Sequence, residues 1–220
     1  KAAFERGLQR YYAVRSVFSQ LTNNLYSHLG MDALRDETRR TRETMLNILH
    51  ERDFPVADLV PLASERSAGT RVKLGERSFV TQDLDKYDFD GIDIALFSAG
   101  GSVSAVHAPR AAAAGAVVID NTSQFRYVDD IPLVIAEVNP HAIARYTTRG
   151  IIANPNCSTM QMLVALAPIH RAVGISRINV ATYQSVSGAG RSGMDELGKQ
   201  TAQLLNFQTV EKHKFPVQIA

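Results

Sequence analysis

The stretch Gly150-Ile-Ile-Ala-Asn-Pro-Asn-Cys157-Ser-Thr-Met-Gln-Met162 contains the only cysteine of the chain. Gly150 to Ala153 read as a short buried strand, and Pro155 disfavours helix at Asn154. From Ser158 the apolar spacing turns helical, through Met162, Leu163, Leu166, Ile169 and Val173. Cys157 therefore falls at a strand-to-helix junction. There, unpaired backbone N–H groups and the positive end of the helix dipole favour an anion, drawing the thiol toward its thiolate. A lone cysteine is also a common small buried hydrophobe. The flanking residues bear on the choice: Asn156, Ser158 and Thr159 are suited to capping a helix or donating to an oxyanion, and a structural cysteine needs none of them.

Outward from this junction the chain alternates in the α/β manner. Ile92–Phe97 reads as a strand, Ser98-Ala-Gly-Gly-Ser102 as a turn, Val103–Ala114 as a helix and Ala116–Asp120 as the next strand, together a right-handed βαβ crossover. Gly100 and Gly101 let a ligand approach the backbone closely, beside the N–H donors of the following helix. Upstream, Ala57–Ala63 reads as a strand that Pro61 confines to its end. The turn Ser64-Glu-Arg-Ser-Ala-Gly69 after it offers an arginine fork between two hydroxyls. That composition suits a phosphate dianion, but it is equally an ordinary polar turn. Asn121-Thr-Ser-Gln-Phe-Arg126 follows the Ala116–Asp120 strand. Arg126 is either a bidentate anion ligand or a surface partner of Asp129 or Asp130. Past the cysteine helix, which should be well buried, Arg177–Tyr183 alternates like a strand, Gln184 stands at its end, Ser187-Gly-Ala-Gly190 follows, and Met194–Leu205 reads as a helix.

With 220 residues, 45% of them hydrophobic, and a formal net charge of +2, the composition is that of a globular α/β protein with no general bias toward nucleic acid. No apolar run approaches bilayer-spanning length and no leader pattern is evident, so membrane insertion and secretion are not expected. One cysteine forms no internal disulfide and no multi-cysteine metal site, which fits a reducing cytoplasm and no bound metal. Residues 1–42 differ from the rest: Phe4, Leu8, Tyr11, Phe18, Leu21, Leu25 and Leu29 fall mostly at helical steps among arginines, and Thr38-Arg-Arg-Thr-Arg42 is densely charged. The segment reads as basic amphipathic helix with a solvated face rather than as a nucleic-acid arm.

Asn-Pro-Asn-Cys157-Ser-Thr-Met-Gln-Met and Tyr183-Gln-Ser-Val-Ser-Gly-Ala-Gly190 resemble two consecutive segments of the aspartate-semialdehyde dehydrogenase family, and the resemblance runs from about Glu43 to Ala220. It implies an incomplete dinucleotide-binding, Rossmann-like parallel sheet over 43–156, followed over 157–220 by the start of an α+β catalytic and dimerisation domain. It also implies NADP-dependent reductive dephosphorylation of aspartyl 4-phosphate to aspartate 4-semialdehyde, a step toward lysine, threonine and methionine, by a homodimer. By this resemblance Cys157 is the nucleophile, with Asn156 beside it; Gln184 touches the acyl group and Arg126 holds the substrate phosphate. Ser64, Arg66 and Ser67 grip the 2′-phosphate of NADP, and Ser98, Gly100, Gly101, Ser187 and Gly188 contact the rest of the cofactor. Leu133–Asn139 resembles the family's Pro-Glu-Val-Asn segment, with Ala136 where proline is expected.

Two family features are missing from this sequence. No glycine-rich turn follows a first strand in residues 1–42, and none of the six histidines fills the general-base role. His170 shares the Cys157 helix but stands roughly 20 Å along it; His107 and His141 read as solvated residues in βα connections. The chain thus reads as a fragment, truncated at one end and replaced at the other. Unless Tyr11–Ser19 or another segment fills the slot of strand one, the sheet should carry unpaired backbone groups. The alternative is a catalytically silent relative that serves as an interaction module.

Overall fold

A computed structural model describes residues 45–189, 191–213 and 215–220, with Arg191 and Ser192 described in backbone only. The expectations for residues 1–42, including Tyr11–Ser19, lie outside the described residues. The described chain begins in a helix, α1, over 45–51. Four short strands follow: β1 (Leu62–Ala63), β2 (Arg71–Leu74), β3 (Arg77–Val80) and β4 (Gln82–Asp83). Then come β5 (Ile94–Phe97), α2 (Gly101–Ala113), β6 (Val117–Asp120), a long 3-10 segment (Pro140–Thr148), β7 (Ile151–Ala153), α3 (Cys157–Val173) and α4 (Arg191–Leu205).

β5, β6 and β7 form a parallel sheet in that order, with Phe97 opposite Asp120 and Asp120 opposite Ala153. The strands are Val/Ile/Leu/Ala-rich because the sheet is covered on both faces. Alternation along each strand sorts the side chains. Ala95, Phe97, Val118, Ile151 and Ala153 face Ala108 and Ala111 of α2. Ile119 and Ile152 face the other way, onto Met45, Leu46 and Leu49 of α1, Val72 and Leu74 of the β2–β3 hairpin, and Ile143. The α2 layer can be thin because its contact residues are alanines, and Gly150 shows how close the approach is. At φ +67, a Cβ added there would lie 2.9 Å from the Ala112 Cβ. Leu133 extends the sheet beyond β7 through a parallel bridge to Ala153, and Ala136, where proline is expected, is a buried core residue.

The βαβ unit forms where expected, with its boundaries moved by one or two residues. The strand expected over 57–63 is reduced to Leu62–Ala63, since Pro61 cannot donate to a ladder, and it pairs in parallel with Gln82–Asp83 in a sheet separate from β5. Among the described residues no strand bonds to the outer edge of β5, the position expected for a first strand.

Three other expectations are corrected. Arg177–Tyr183 forms no strand and lies exposed, because among the described residues no neighbouring strand offers it a ladder. α3 is not well buried: Met160 is its only buried residue, while Val164, Ile169 and Val173 are exposed, because the sheet and α2 do not cover its far side. His107 is not solvated. It lies inside α2, 7% exposed, with Nδ1 2.7 Å from Arg110 Nη1 and Nε2 3.3 Å from Asp85. Because a guanidinium only donates, Nδ1 accepts and the proton sits on Nε2, directed at Asp85. Arg110 in turn donates to the Leu84, Asp85 and Tyr87 carbonyls, tying α2 to the segment after β4.

Candidate active site

In a parallel sheet the carboxyl ends of neighbouring strands open on one edge, and ligands of doubly wound folds bind there. The register places three loops on this edge, on strands spaced by roughly 4.8 Å. Ser98-Ala-Gly100-Gly101 leaves β5, Asn121–Arg126 leaves β6, and Asn154-Pro-Asn156 leaves β7 into α3. The loops also touch. Gln124 Oε1 lies 3.6 Å from where a Gly101 Cβ would be, and the Asn154 N–H donates to the Asp120 carbonyl at 2.8 Å.

Asp120 anchors this edge. It is fully buried on the α2 side of the sheet. Its Oδ1 accepts from Ser104 Oγ of α2 at 2.9 Å and from the Thr122 N–H at 3.0 Å, and its Oδ2 accepts from Thr122 Oγ1 at 2.8 Å. A buried carboxylate is tolerated only with such partners. Its position, with a threonine two residues on, is the mark that an Asx turn leaves in the sequence. The turn aims the chain so that Arg126 reaches back across the sheet edge. Arg126 Nε donates to the Asn154 carbonyl at 2.9 Å and Nη2 to the Asn121 carbonyl at 3.1 Å. The surface pairing considered for Arg126 does not form; Asp130 is taken by Arg149 instead. Two of the five guanidinium donors are used by the backbone, so three remain for an anion.

Cys157 is partly buried at the first position of α3. Asn156 caps the helix through Oδ1, which accepts from the Ser158 N–H at 3.0 Å and the Thr159 N–H at 3.4 Å. Since backbone N–H groups only donate, the oxygen of Asn156 must face the helix, which leaves its amide NH2 as a donor at the start of α3. Cys157 thus follows directly on a capped helix start, at the end of the loop whose Asn154 carbonyl accepts from the Arg126 guanidinium.

Gly100, at φ +107, is the N-cap of α2 and makes no side-chain cap bond, so the first N–H groups of α2 remain available to a diphosphate. Ser64, Arg66 and Ser67 sit at the carboxyl end of β1, in and beside a 3-10 turn spanning Glu65–Ser67. The Ser64 side chain makes no cap bond there, and the Arg66 guanidinium is exposed with no partner among the described residues. These groups fit a dinucleotide carrying an extra phosphate: a cradle without Cβ at one loop, free hydroxyl and guanidinium donors at the other.

Gln184, Ser187 and Gly188 are not joined to this cluster by any hydrogen bond among the described residues. Gln184 is exposed, and Ser187 Oγ and the Gly188 N–H bond only to Ser185. Among the described residues no histidine is joined to the sulfur either. His170 Nδ1 accepts from the Ile175 N–H at the far end of α3, His213 faces Glu211, and His141 is exposed. Among the described residues no group of three or more His, Cys, Asp or Glu side chains could hold a metal ion, and no helix is long and apolar enough to cross a membrane.

A parallel sheet with a glycine turn at one strand end and a capped, helix-starting cysteine at another is the ligand edge of a doubly wound, nucleotide-binding type of fold with a thiol placed on it. Family models match on both sides of the cysteine: the NAD binding domain of semialdehyde dehydrogenase over residues 41–146, and the dimerisation domain of semialdehyde dehydrogenase over 166–220. The chain belongs to the semialdehyde dehydrogenase family. More particularly, it is 61% identical over 178 residues to aspartate-semialdehyde dehydrogenase 2 of Vibrio cholerae, covering 81% of this chain and 53% of that one. It is 54% identical over 193 residues to the aspartate-semialdehyde dehydrogenase of Legionella pneumophila, covering 88% and 55%. The fold superposes with a TM-score of 0.70 on the crystal structure of aspartate semialdehyde dehydrogenase II from Vibrio cholerae complexed with ASA, at 60% identity and with 81% and 53% of the two chains covered. The chain spans about half the length of the relatives it matches.

Proposed function

We propose that this chain carries the cofactor-binding half and the nucleophile of an NADP-dependent aspartate-semialdehyde dehydrogenase. Residues 43–156 form its nucleotide-binding unit, and 157–220 open its catalytic and dimerisation unit. What supports the reading is that the segments bearing Arg126, Asn156 and Cys157 leave the same sheet edge as the Gly100–Gly101 turn.

In the proposed reaction the Cys157 thiolate attacks the acyl carbon of aspartyl 4-phosphate. A carbon–sulfur bond forms, the carbon–oxygen bond to phosphate breaks, and phosphate leaves against the free donors of Arg126. The oxygen of the tetrahedral adduct accepts from the Asn156 amide, and Gln184 orients the acyl group. NADPH, when bound, supplies the hydride that reduces the thioester; the aldehyde departs and the thiolate returns. Ser64, Arg66 and Ser67 hold the 2′-phosphate, and Ser98, Gly100, Gly101, Ser187 and Gly188 border the remainder of the cofactor. The product is a precursor of lysine, threonine and methionine. The segment 166–220 supports a homodimer, and a single reduced thiol suits the cytoplasm.

A second reading, a silent relative acting as an interaction module, is favoured by the exposed apolar side chains of Val164, Ile169, Val173, Ile178, Val180, Leu205 and Phe207, and by the lack, among the described residues, of a histidine joined to Cys157. Titration with NADPH, followed by alkylation of Cys157, separates the two. Micromolar affinity with protection of the thiol by bound NADPH supports the dehydrogenase. No detectable binding supports the interaction module.

A further inference from the structure

The turn Ser64-Glu65-Arg66-Ser67 contains both signals that decide between the two nicotinamide dinucleotides. An acidic side chain at the end of this strand accepts from the free ribose hydroxyls of NAD, while an arginine there accommodates the 2′-phosphate of NADP. With Glu65 and Arg66 adjacent, the sequence supplies both. The structure resolves the conflict through a residue far along the chain. β1 and β4 run parallel, with Ala63 opposite Asp83, so the segments that follow them emerge at the same edge. Lys86, three residues after β4, extends its ammonium to Glu65 Oε1 at 2.7 Å and to Asp83 Oδ2 at 3.1 Å. Asp83 Oδ2 is buried and has no hydrogen-bond partner among the described residues, so the ion pair with Lys86 is what offsets its charge. Glu65 and Asp83 keep the Lys86 ammonium protonated above its ordinary range. The segment bearing Lys86 is itself fixed, because Arg110 and His107 of α2 grip Leu84, Asp85 and Tyr87.

We propose that Lys86 is a specificity-determining residue for the cofactor. By drawing the Glu65 carboxylate to itself, it removes the acceptor that would favour NAD and the negative charge that would repel the 2′-phosphate. Arg66 and the two serines are left to the phosphate. Lys86 acts on the cofactor through Glu65, as a positioning residue. The inference rests on the dinucleotide reading given above and adds to it the source of the preference for the phosphorylated form.

The test measures direct binding of NADPH and NADH to the full chain and to three variants, K86M, E65Q and the K86M/E65Q double variant. Releasing a carboxylate within a few ångströms of a phosphate dianion near the protein surface weakens NADPH binding by at least about fivefold. The K86M variant is therefore expected to lose NADPH affinity to that extent while NADH affinity holds or rises. The double variant is expected to regain NADPH affinity, a rescue that a purely structural role for Lys86 would not produce. If the unaltered chain binds NADPH in preference to NADH and K86M leaves the ratio unchanged, or the double variant shows no rescue, the role of Lys86 is overturned and the dinucleotide reading stands. If the unaltered chain binds neither dinucleotide, both fall.

Discussion

Arg126 Nε donates to the main-chain oxygen of Asn154 at 2.9 Å, three residues before Cys157. The Asn154 N–H donates to the Asp120 carbonyl at 2.8 Å. The peptide groups leading into the cysteine helix are thus gripped from both sides by one loop, so the residue proposed to hold the leaving phosphate also fixes the backbone that presents the sulfur. Arg126→Lys keeps the charge but not the fork, and one ammonium nitrogen does not span the two carbonyls and an anion as the guanidinium does. We expect it to weaken inorganic phosphate binding about tenfold and to lower stability by about 1 kcal/mol. Phosphate titration and urea unfolding of the same variant read the two effects separately.

Asp120 is the buried anchor of that loop. Asp120→Ala strands the Ser104 hydroxyl and the Thr122 N–H without their acceptor and should cost about 3 kcal/mol, against about 1 kcal/mol for Ser104→Ala. Urea denaturation midpoints of the two variants should rank in that order. Equal midpoints would mean that the carboxylate does not organise the edge.

Asn156 has two separable duties. Asn156→Ala removes the cap and should cost about 1 kcal/mol of stability. Asn156→Asp keeps an acceptor for the Ser158 and Thr159 N–H groups but replaces the donor beside Cys157 with a negative charge that disfavours a thiolate. The expected outcome is a melting temperature close to that of the unaltered chain, with alkylation of Cys157 by iodoacetamide at neutral pH slowed several-fold. Alkylation at an unchanged rate would remove the Asn156 amide from the site.

Gly150 sets the spacing between α2 and the sheet. Gly150→Ala must place a Cβ 2.9 Å from the Ala112 Cβ while holding φ at +67. Strain and overlap together should cost about 2 to 4 kcal/mol. Adding Ala112→Gly relieves the overlap but not the backbone strain, so the double variant should recover only part of the loss in a thermal melt.

Acid should release the chain after α4 at one identifiable group. The hydrogen bond from Lys199, with help from His213, holds the Glu211 carboxyl below the ordinary carboxylate value. A group lowered in the folded state stabilises it above the ordinary value, and that contribution disappears as the pH falls through its own lower value. Protection from hydrogen exchange at the Glu211 and His213 amides, taken relative to the intrinsic rate at each pH, should therefore fall on acidification below about pH 4.5, and Glu211→Gln should abolish that step.

The sequence by itself determined the βαβ unit, the strand ending at Ala153 and the placement of Cys157 at a helix start. These features rest on local patterning: alternation, helical spacing, and the conformational limits of proline and glycine within a few residues of each other. The family likeness rested on the same short segments. Burial and long-range pairing were decided only by the tertiary structure. The apolar spacing of α3 matches that of a core helix, yet only Met160 is buried, because spacing defines a face and not what covers it. Arg177–Tyr183 alternates like a strand but has no ladder to join, and His107, polar by composition, is enclosed between Arg110 and Asp85. Asp120, Asn154 and Lys86 gained their roles from partners on other elements: Ser104 and Thr122, the Arg126 guanidinium, and Glu65. A charge or a carbonyl acquires a function when the fold brings its counterpart within hydrogen-bonding distance, and no reading along one segment can supply that distance.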